Sequence, residues 1–137
     1  MTEFQTWTLF SSFMTQGAIQ FLGLIVAVWL GFRMSSNIFE SGNSPVIAKV
    51  LASIYCICIA LFLMFSSLQQ LMIVNDFAAG FAELAKTTDI SAAAVRLSEI
   101  DTTLPSIINI VLVLSIILFQ LAGIWMRTVS YTHLTLP

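Results

Sequence analysis

The sequence predicts an all-α integral membrane protein with three transmembrane helices and a short amphipathic helical segment in the second connector. Hydrophobic residues make up 58% of the 137 residues and charged residues only 9%, with a mean hydropathy of +0.97. A soluble domain has about 25% charged residues, so this composition excludes one. Three spans of about 20 residues each, with their connectors, account for the whole length. We therefore expect a single transmembrane domain over residues 1–128.

The third span, expected at residues 104–126, gives the clearest signal because LPSIINIVLVLSIILFQLAGIWM contains no charged residue. At about 1.5 Å per helical residue it is roughly 34 Å long, enough to cross a hydrocarbon core of about 30 Å. Thr103 and Pro105 are residue types that begin helices. Trp125 suits the membrane interface, and Arg127 follows just beyond it.

The first span is expected at residues 9–32, in a helix that begins almost at the terminus. Thr2 and Gln5 have the spacing of a capping box, and Arg33 closes the span. No basic residue precedes Arg33 and no cleavage site follows the apolar run, so the sequence predicts a retained span rather than a signal peptide. Small residues recur every four positions and form a candidate helix-packing stripe, unless they merely reflect the frequency of Gly and Ala in membrane helices: Gly23, Ala27 and Gly31.

The second span is expected at residues 46–72, after a short connector of turn residues. Gly42 is a candidate helix stop, Ser44 and Pro45 are a candidate cap and first-turn pair, and Lys49 is close enough to the end to reach the interface. A second candidate packing stripe follows and, with the first, predicts a close antiparallel pair of helices: Ala48, Ala52, Cys56 and Ala60.

The second connector is predicted to contain two amphipathic helical pieces. Asn75 and Asp76 mark the end of the hydrophobic run, and residues 77–84 carry apolar side chains at helical spacing. A second short helix is expected to begin near Asp89 or Ser91, either of which can cap it. Two arrangements stay open: helices on the membrane surface, or a helical hairpin that covers the ends of the spans.

The distribution of basic residues predicts the orientation, because Lys and Arg near span ends resist translocation. Arg33 and Lys49 flank the first connector, and Arg127 follows the third span. The second connector, residues 75–103, carries five acidic and two basic residues. We expect the N-terminus outside and the C-terminal end in the cytoplasm, in a bacterial inner (plasma) membrane.

Four amide side chains on three spans are expected at similar depth and form a candidate polar cluster: Gln20, Gln69, Gln70 and Asn109. Amides in lipid favour interhelical hydrogen bonds. The sequence therefore favours structural hydrogen bonds between the spans, with a ligand-receiving polar patch as the alternative. Gln120 has no evident partner, which suggests a contact with a further helix or another subunit.

Residues that carry chemistry are missing from the predicted spans. Their interiors contain no Asp, Glu, Arg or His, and Cys56 and Cys58 are two positions apart, so they point to nearly opposite faces. We therefore expect no catalytic residue, no metal, no cofactor and no enzymatic activity. The net charge of −2 also argues against nucleic-acid binding.

The last nine residues, VSYTHLTLP at 129–137, resemble the translated read-through of a transposase adapter used to prepare sequencing libraries. The resemblance implies a non-native tail, which includes His133, and a natural chain that continues past Thr128. We expect a small accessory or scaffold subunit whose partners are the lipid bilayer and other transmembrane helices, in a self- or hetero-oligomer. The alternative is the N-terminal fragment of a longer transporter or channel.

Overall fold

The computed structural model describes residues 2–100 and 104–126, and this part of the chain is all helical. Its four helices are α1 (Glu3–Ser41), α2 (Val46–Ala85), α3 (Ala92–Ser98) and α4 (Ile107–Trp125). Three of them, α1, α2 and α4, are long and apolar enough to cross a membrane. Each of these three packs against the other two, and α3 packs against α2. The predicted fold class is confirmed, with α3 as the short helical segment of the second connector.

The predicted ends of α1 are confirmed. Thr2 and Gln5 form both hydrogen bonds of the capping box, so two N–H groups at the helix start have acceptors. Gly42 ends the helix in the left-handed conformation at a φ of 63°, and its N–H donates to the Phe39 carbonyl oxygen at 3.3 Å. Glycine adopts this conformation at low cost because it has no Cβ.

The start of α2 and the course of its second half differ from the prediction. Ser44 does not cap α2: the N-cap position is Pro45, which has no side-chain capping bond, and the Ser44 hydroxyl contacts that of Ser41 instead. The amphipathic piece predicted at residues 77–84 is helical, but it is not a separate helix, because α2 continues without a break to Ala85. The aromatic side chains after Asp76 pack against α1, and this contact favours continuation of the helix.

The length of α4 indicates where the membrane boundaries lie. Its 19 residues span about 28 Å, close to the thickness of a hydrocarbon core. The helix begins at Ile107 after Ser106, whereas Thr103, Arg127 and the residues from 128 to 137 lie outside the described residues. Since α1 and α2 have 39 and 40 residues, about 58 and 60 Å, both extend well beyond α4.

The projecting parts of α1 (residues 3–16) and α2 (residues 73–85) pack together with α3, and we call this unit the head. Its contacts are mainly aromatic: the rings of Trp7 and Phe81 have centroids 4.8 Å apart, and those of Phe10 and Phe77 5.1 Å. Phe81 and the α3 residue Ala94 have no solvent-exposed surface. The projecting ends of α1 and α2 and the short helix α3 therefore form a small packed unit.

The rest of α1 and α2, together with α4, forms the body. Its buried cluster is made of small and medium side chains, Ala52 and Cys56 of α2 and Ile124 of α4. At the end farthest from the head, the Trp125 indole N–H donates to the Ser53 hydroxyl at 2.9 Å, and the Lys49 ammonium lies 6.0 Å from the Trp125 ring. An interfacial tryptophan beside a lysine is typical of a membrane boundary.

Candidate functional site

Uncharged polar side chains of all three spans lie where the head meets the body. The Gln70 side chain of α2 lies directly against Gly17 of α1, in the space that a Cβ at position 17 would occupy. The Asn109 amide of α4 donates to the Ser67 hydroxyl of α2. Gly17 was not among the predicted site residues, although a glycine within one turn of Gln20 is a signal in the sequence that could have identified it.

Three of the four predicted amides line one cleft between α1 and α2. Gln20, Gln69 and Gln70 lie there together with Gln16, around a cavity of about 70 Å³. No hydrogen bond joins these four amides to one another in the described structure. The predicted amide-to-amide hydrogen bonds are therefore not formed between them.

Asn109 lies on the other side of Gln70, in a second and larger space that we call the lateral groove. This groove has a volume of about 340 Å³ and is bordered by α1, α2 and the start of α4. Its polar lining consists of Ser66, Ser67, Gln70 and Asn109. Phe21, Leu24 and Leu63 are among its apolar residues. Gln70 thus separates the predicted cluster into two spaces and borders both.

Gln120 has a partner within this chain, which corrects the expectation of a contact with a further helix or subunit. Its side-chain N–H donates to the Val28 carbonyl oxygen of α1 at 3.0 Å, and the residue is only 1% exposed. Gly31 of α1 makes the room, because a Cβ there would lie 2.5 Å from the Gln120 amide nitrogen. The Ser35 hydroxyl donates to the Gln120 backbone carbonyl at 2.8 Å, against Gly123.

The two small-residue stripes occupy different environments. In the first, Gly31 borders Gln120 and the Ala27 carbonyl accepts a 3.0 Å hydrogen bond from the Tyr55 hydroxyl, whereas Gly23 is exposed, with no atom within 4 Å of the position of a Cβ. In the second, Ala48 is half-buried and the other members are buried inside the bundle: Ala52, Cys56 and Ala60.

The charged groups of the described residues lie away from the lateral groove, whose lining is entirely uncharged. In the head, the Glu3 carboxylate accepts hydrogen bonds from the Ser91 backbone N–H at 3.1 Å, the Ser91 hydroxyl and the Trp7 indole N–H at 3.1 Å. These donors stabilise the ionised form, those from Ser91 most, and lower the pKa of Glu3 below its ordinary value. No group of three or more potential metal ligands occurs among residues 2–100 and 104–126.

The fold and its internal polar contacts define a helical membrane protein of three spans with a packed head at one end. Comparison with known proteins adds no closer relation: no family model, no curated protein and no solved structure matches the chain.

Proposed function

We propose that this protein is a small accessory or scaffold subunit that packs against the helices of other membrane proteins or of a second copy. The observation that carries the proposal is a surface of α1 and α2, here called the amide face, on which amide side chains line the cleft between the two helices and an exposed glycine has open space beside it. Its members are Gln16, Gln20, Gly23 and Gln69.

Lipid acyl chains leave the hydrogen-bonding groups of the amide face without partners. Acyl chains offer no hydrogen bonds, so amides near the membrane boundary favour a polar partner. Gly23 lies two helical turns below Gln16 on the same side of α1, and its missing side chain permits a second helix backbone to approach closely. A partner helix in lipid is held by interhelical hydrogen bonds and by close backbone contact. The amides of this surface can supply the hydrogen bonds, and Gly23 permits the close contact.

The test of this proposal is an enlarged residue at Gly23. Gly23→Ile projects into open space, so the fold of the monomer is expected to be unchanged, whereas a partner helix at this position would be displaced. We expect weaker association in mild detergent, measured by co-purification of two differently tagged copies and of chemically cross-linked partners.

The matched control enlarges a side chain on the opposite side of α1. Ile25 is 50% exposed, and Ile25→Phe is expected to leave association unchanged. If Gly23→Ile associates as well as the original protein, with helical content unchanged in both, the amide face is not a packing surface and the proposal fails.

The proposal also places the end that carries Lys49 and Trp125 in the cytoplasm and the head outside. Arg33 and Lys49 lie toward the first connector, which supports this orientation because such residues resist translocation. Ala93 in α3 is exposed, so Ala93→Cys is expected to react with a membrane-impermeant maleimide on intact cells, in a chain whose Cys58 is replaced by Ser. Labelling only after lysis would reverse the orientation.

A further inference from the structure

We propose that the lateral groove binds one diacyl lipid of the surrounding bilayer. In this assignment the glycerol–ester region lies against Ser66, Ser67 and Gln70, and an acyl chain lies along the apolar residues deeper in the membrane. This site is separate from the amide face and does not depend on the proposed packing function.

The groove has the size and the opening that a lipid segment requires. Its volume of about 340 Å³ falls at the lower end of the range for small-molecule sites, about 300–1,000 Å³. Ala18 and Phe21 of α1 border it and are both exposed. The groove is therefore accessible from the side of the bundle, along the plane of the membrane.

Hydrogen-bond donors in the groove lack acceptors. Many hydroxyl side chains of α1 donate to a carbonyl one turn earlier, for example Thr8 to Phe4 at 2.9 Å and Thr15 to Ser11 at 2.8 Å. Within the described structure, by contrast, the hydroxyls of Ser66 and Ser67 donate to no carbonyl, and the Gln70 amide donates to no acceptor. Donors without acceptors are costly near hydrocarbon, so this end of the groove favours a ligand that accepts hydrogen bonds.

The missing partner is an uncharged acceptor. Ester carbonyl oxygens accept hydrogen bonds and donate none, and two of them occur side by side in a diacyl lipid. The lining contains no charged residue, so the groove offers nothing that would select the charge of a headgroup. Ester groups complement the donors of Ser66, Ser67 and Gln70 in polarity.

The groove is polar near the membrane boundary and apolar deeper in the membrane, and a lipid has its ester groups and its acyl chains in the same order. Asn109 lies in the first turn of α4, close to the membrane boundary, which is the depth of the ester groups. Leu24 lies two turns beyond Gly17, about 10 Å deeper along α1, and Leu63 lies one turn deeper than Ser67 along α2. An ester group at the polar end therefore directs its acyl chain onto an apolar surface.

The experiment compares a diester lipid with its diether analogue, which keeps the chains and the headgroup but lacks the two carbonyl groups. The delipidated protein receives dioleoyl phosphatidylcholine or the matching diether, and native mass spectrometry measures the retained lipid. We expect one diester molecule per chain and about tenfold weaker retention of the diether, the effect of two lost hydrogen bonds in a membrane.

Two variants and a control test the position. Gln70→Leu is expected to reduce diester retention several-fold, whereas Gln69→Leu, which changes the neighbouring amide outside the groove, is expected to leave it unchanged. Ala18→Phe fills the groove from its exposed edge and is expected to abolish retention without altering helical content. This second variant keeps the test valid if loss of the Gln70 amide disturbs packing against Gly17.

Three outcomes would overturn the assignment. The first is equal retention of the diester and the diether, and the second is equal loss in Gln69→Leu and Gln70→Leu. The third is a protein adduct, rather than a lipid adduct, from a photoreactive amino acid placed at Ala18, because it would show that a partner helix fills the groove.

Discussion

The head and the body of this molecule are held together by different side chains, although α1 and α2 run through both. In the head, large rings make the contacts, with Phe81 fully buried against Trp7. In the body, the closest contacts involve Gly31 and Gly123, which leave room for polar side chains of the facing helix. The head thus joins α1 to α2 through large aromatic side chains, whereas in the body α1 and α4 approach closely at their glycines.

The solvent accounts for this difference. In water, burial of an aromatic side chain is favourable because it removes apolar area from the solvent. In lipid, apolar area gains nothing by such burial, so helices associate through close van der Waals contact and interhelical hydrogen bonds. The change in packing from Phe77 to Gly17 is the change expected where two helices pass from water into a bilayer.

The largest effect is expected from Phe81→Ala in the head. Truncation of a buried phenylalanine costs about 3–5 kcal/mol, so the head should open while the body stays folded. Limited proteolysis in residues 86–91 measures the opening. Phe4→Ala, at a side chain that is 79% exposed, is the control and should leave the cleavage rate unchanged. Equal cleavage of the two variants would contradict an aromatic core in the head.

A smaller effect is expected from Gln120→Leu in the body. The substitution keeps the approximate volume and removes the hydrogen bond to the Val28 carbonyl, so we expect a loss of about 0.6–2 kcal/mol. Thermal unfolding in detergent measures it, with Gln69→Leu on the exposed surface as the control. A loss of stability as large as that of Phe81→Ala would contradict this prediction, because the polar contacts of the body would then matter as much as the aromatic core of the head.

The smallest effect concerns the attachment of α3 through Glu3. Because hydrogen bonds lower the pKa of this carboxyl, the contact with Ser91 is fully present above the ordinary pKa of 4.5 and is lost as the pH falls through the lower pKa of the folded state. Hydrogen exchange of α3 should increase over that acidic range. Glu3→Gln should show the increase already at neutral pH, whereas Glu40→Gln at the other end of α1 should not. An unchanged exchange rate in Glu3→Gln would show that the Glu3 carboxylate does not hold α3 in place.

The sequence identifies the three spans well because each is a long apolar run with at most one charged residue, and it identifies the caps at Thr2 and Gly42 because their signals are local. It does not reveal that α2 continues past Asp76. Two polar residues such as Asn75 and Asp76 can follow an apolar run either because the helix ends there or because it continues beyond the membrane and packs against another helix. The sequence looks the same in both cases. Only the contacts of Phe77 and Phe81 with α1 distinguish the two cases.

The sequence predicts the depth of the polar side chains in the membrane, but it does not predict which of them contact each other. Gln20, Gln69, Gln70 and Asn109 line two adjacent spaces where the head meets the body, so they lie at similar depth, as counting residues from the span ends suggests. Which of them face each other depends on the rotation of each helix about its axis, and the sequence specifies that rotation weakly when most of the surface is apolar. For the same reason, the fit of Gln120 into the space beside Gly31 could not be anticipated from either residue alone.

The length of α1 has a mechanical consequence. From Glu3 to Ser41 it contains no proline and no interruption, so it connects the head to the opposite side of the bilayer as one stiff rod of about 58 Å. A tilt of only about ten degrees would displace one end relative to the other by about 10 Å, a third of the bilayer thickness. Because α1 packs against both α2 and α4, such a tilt would carry the three helices together.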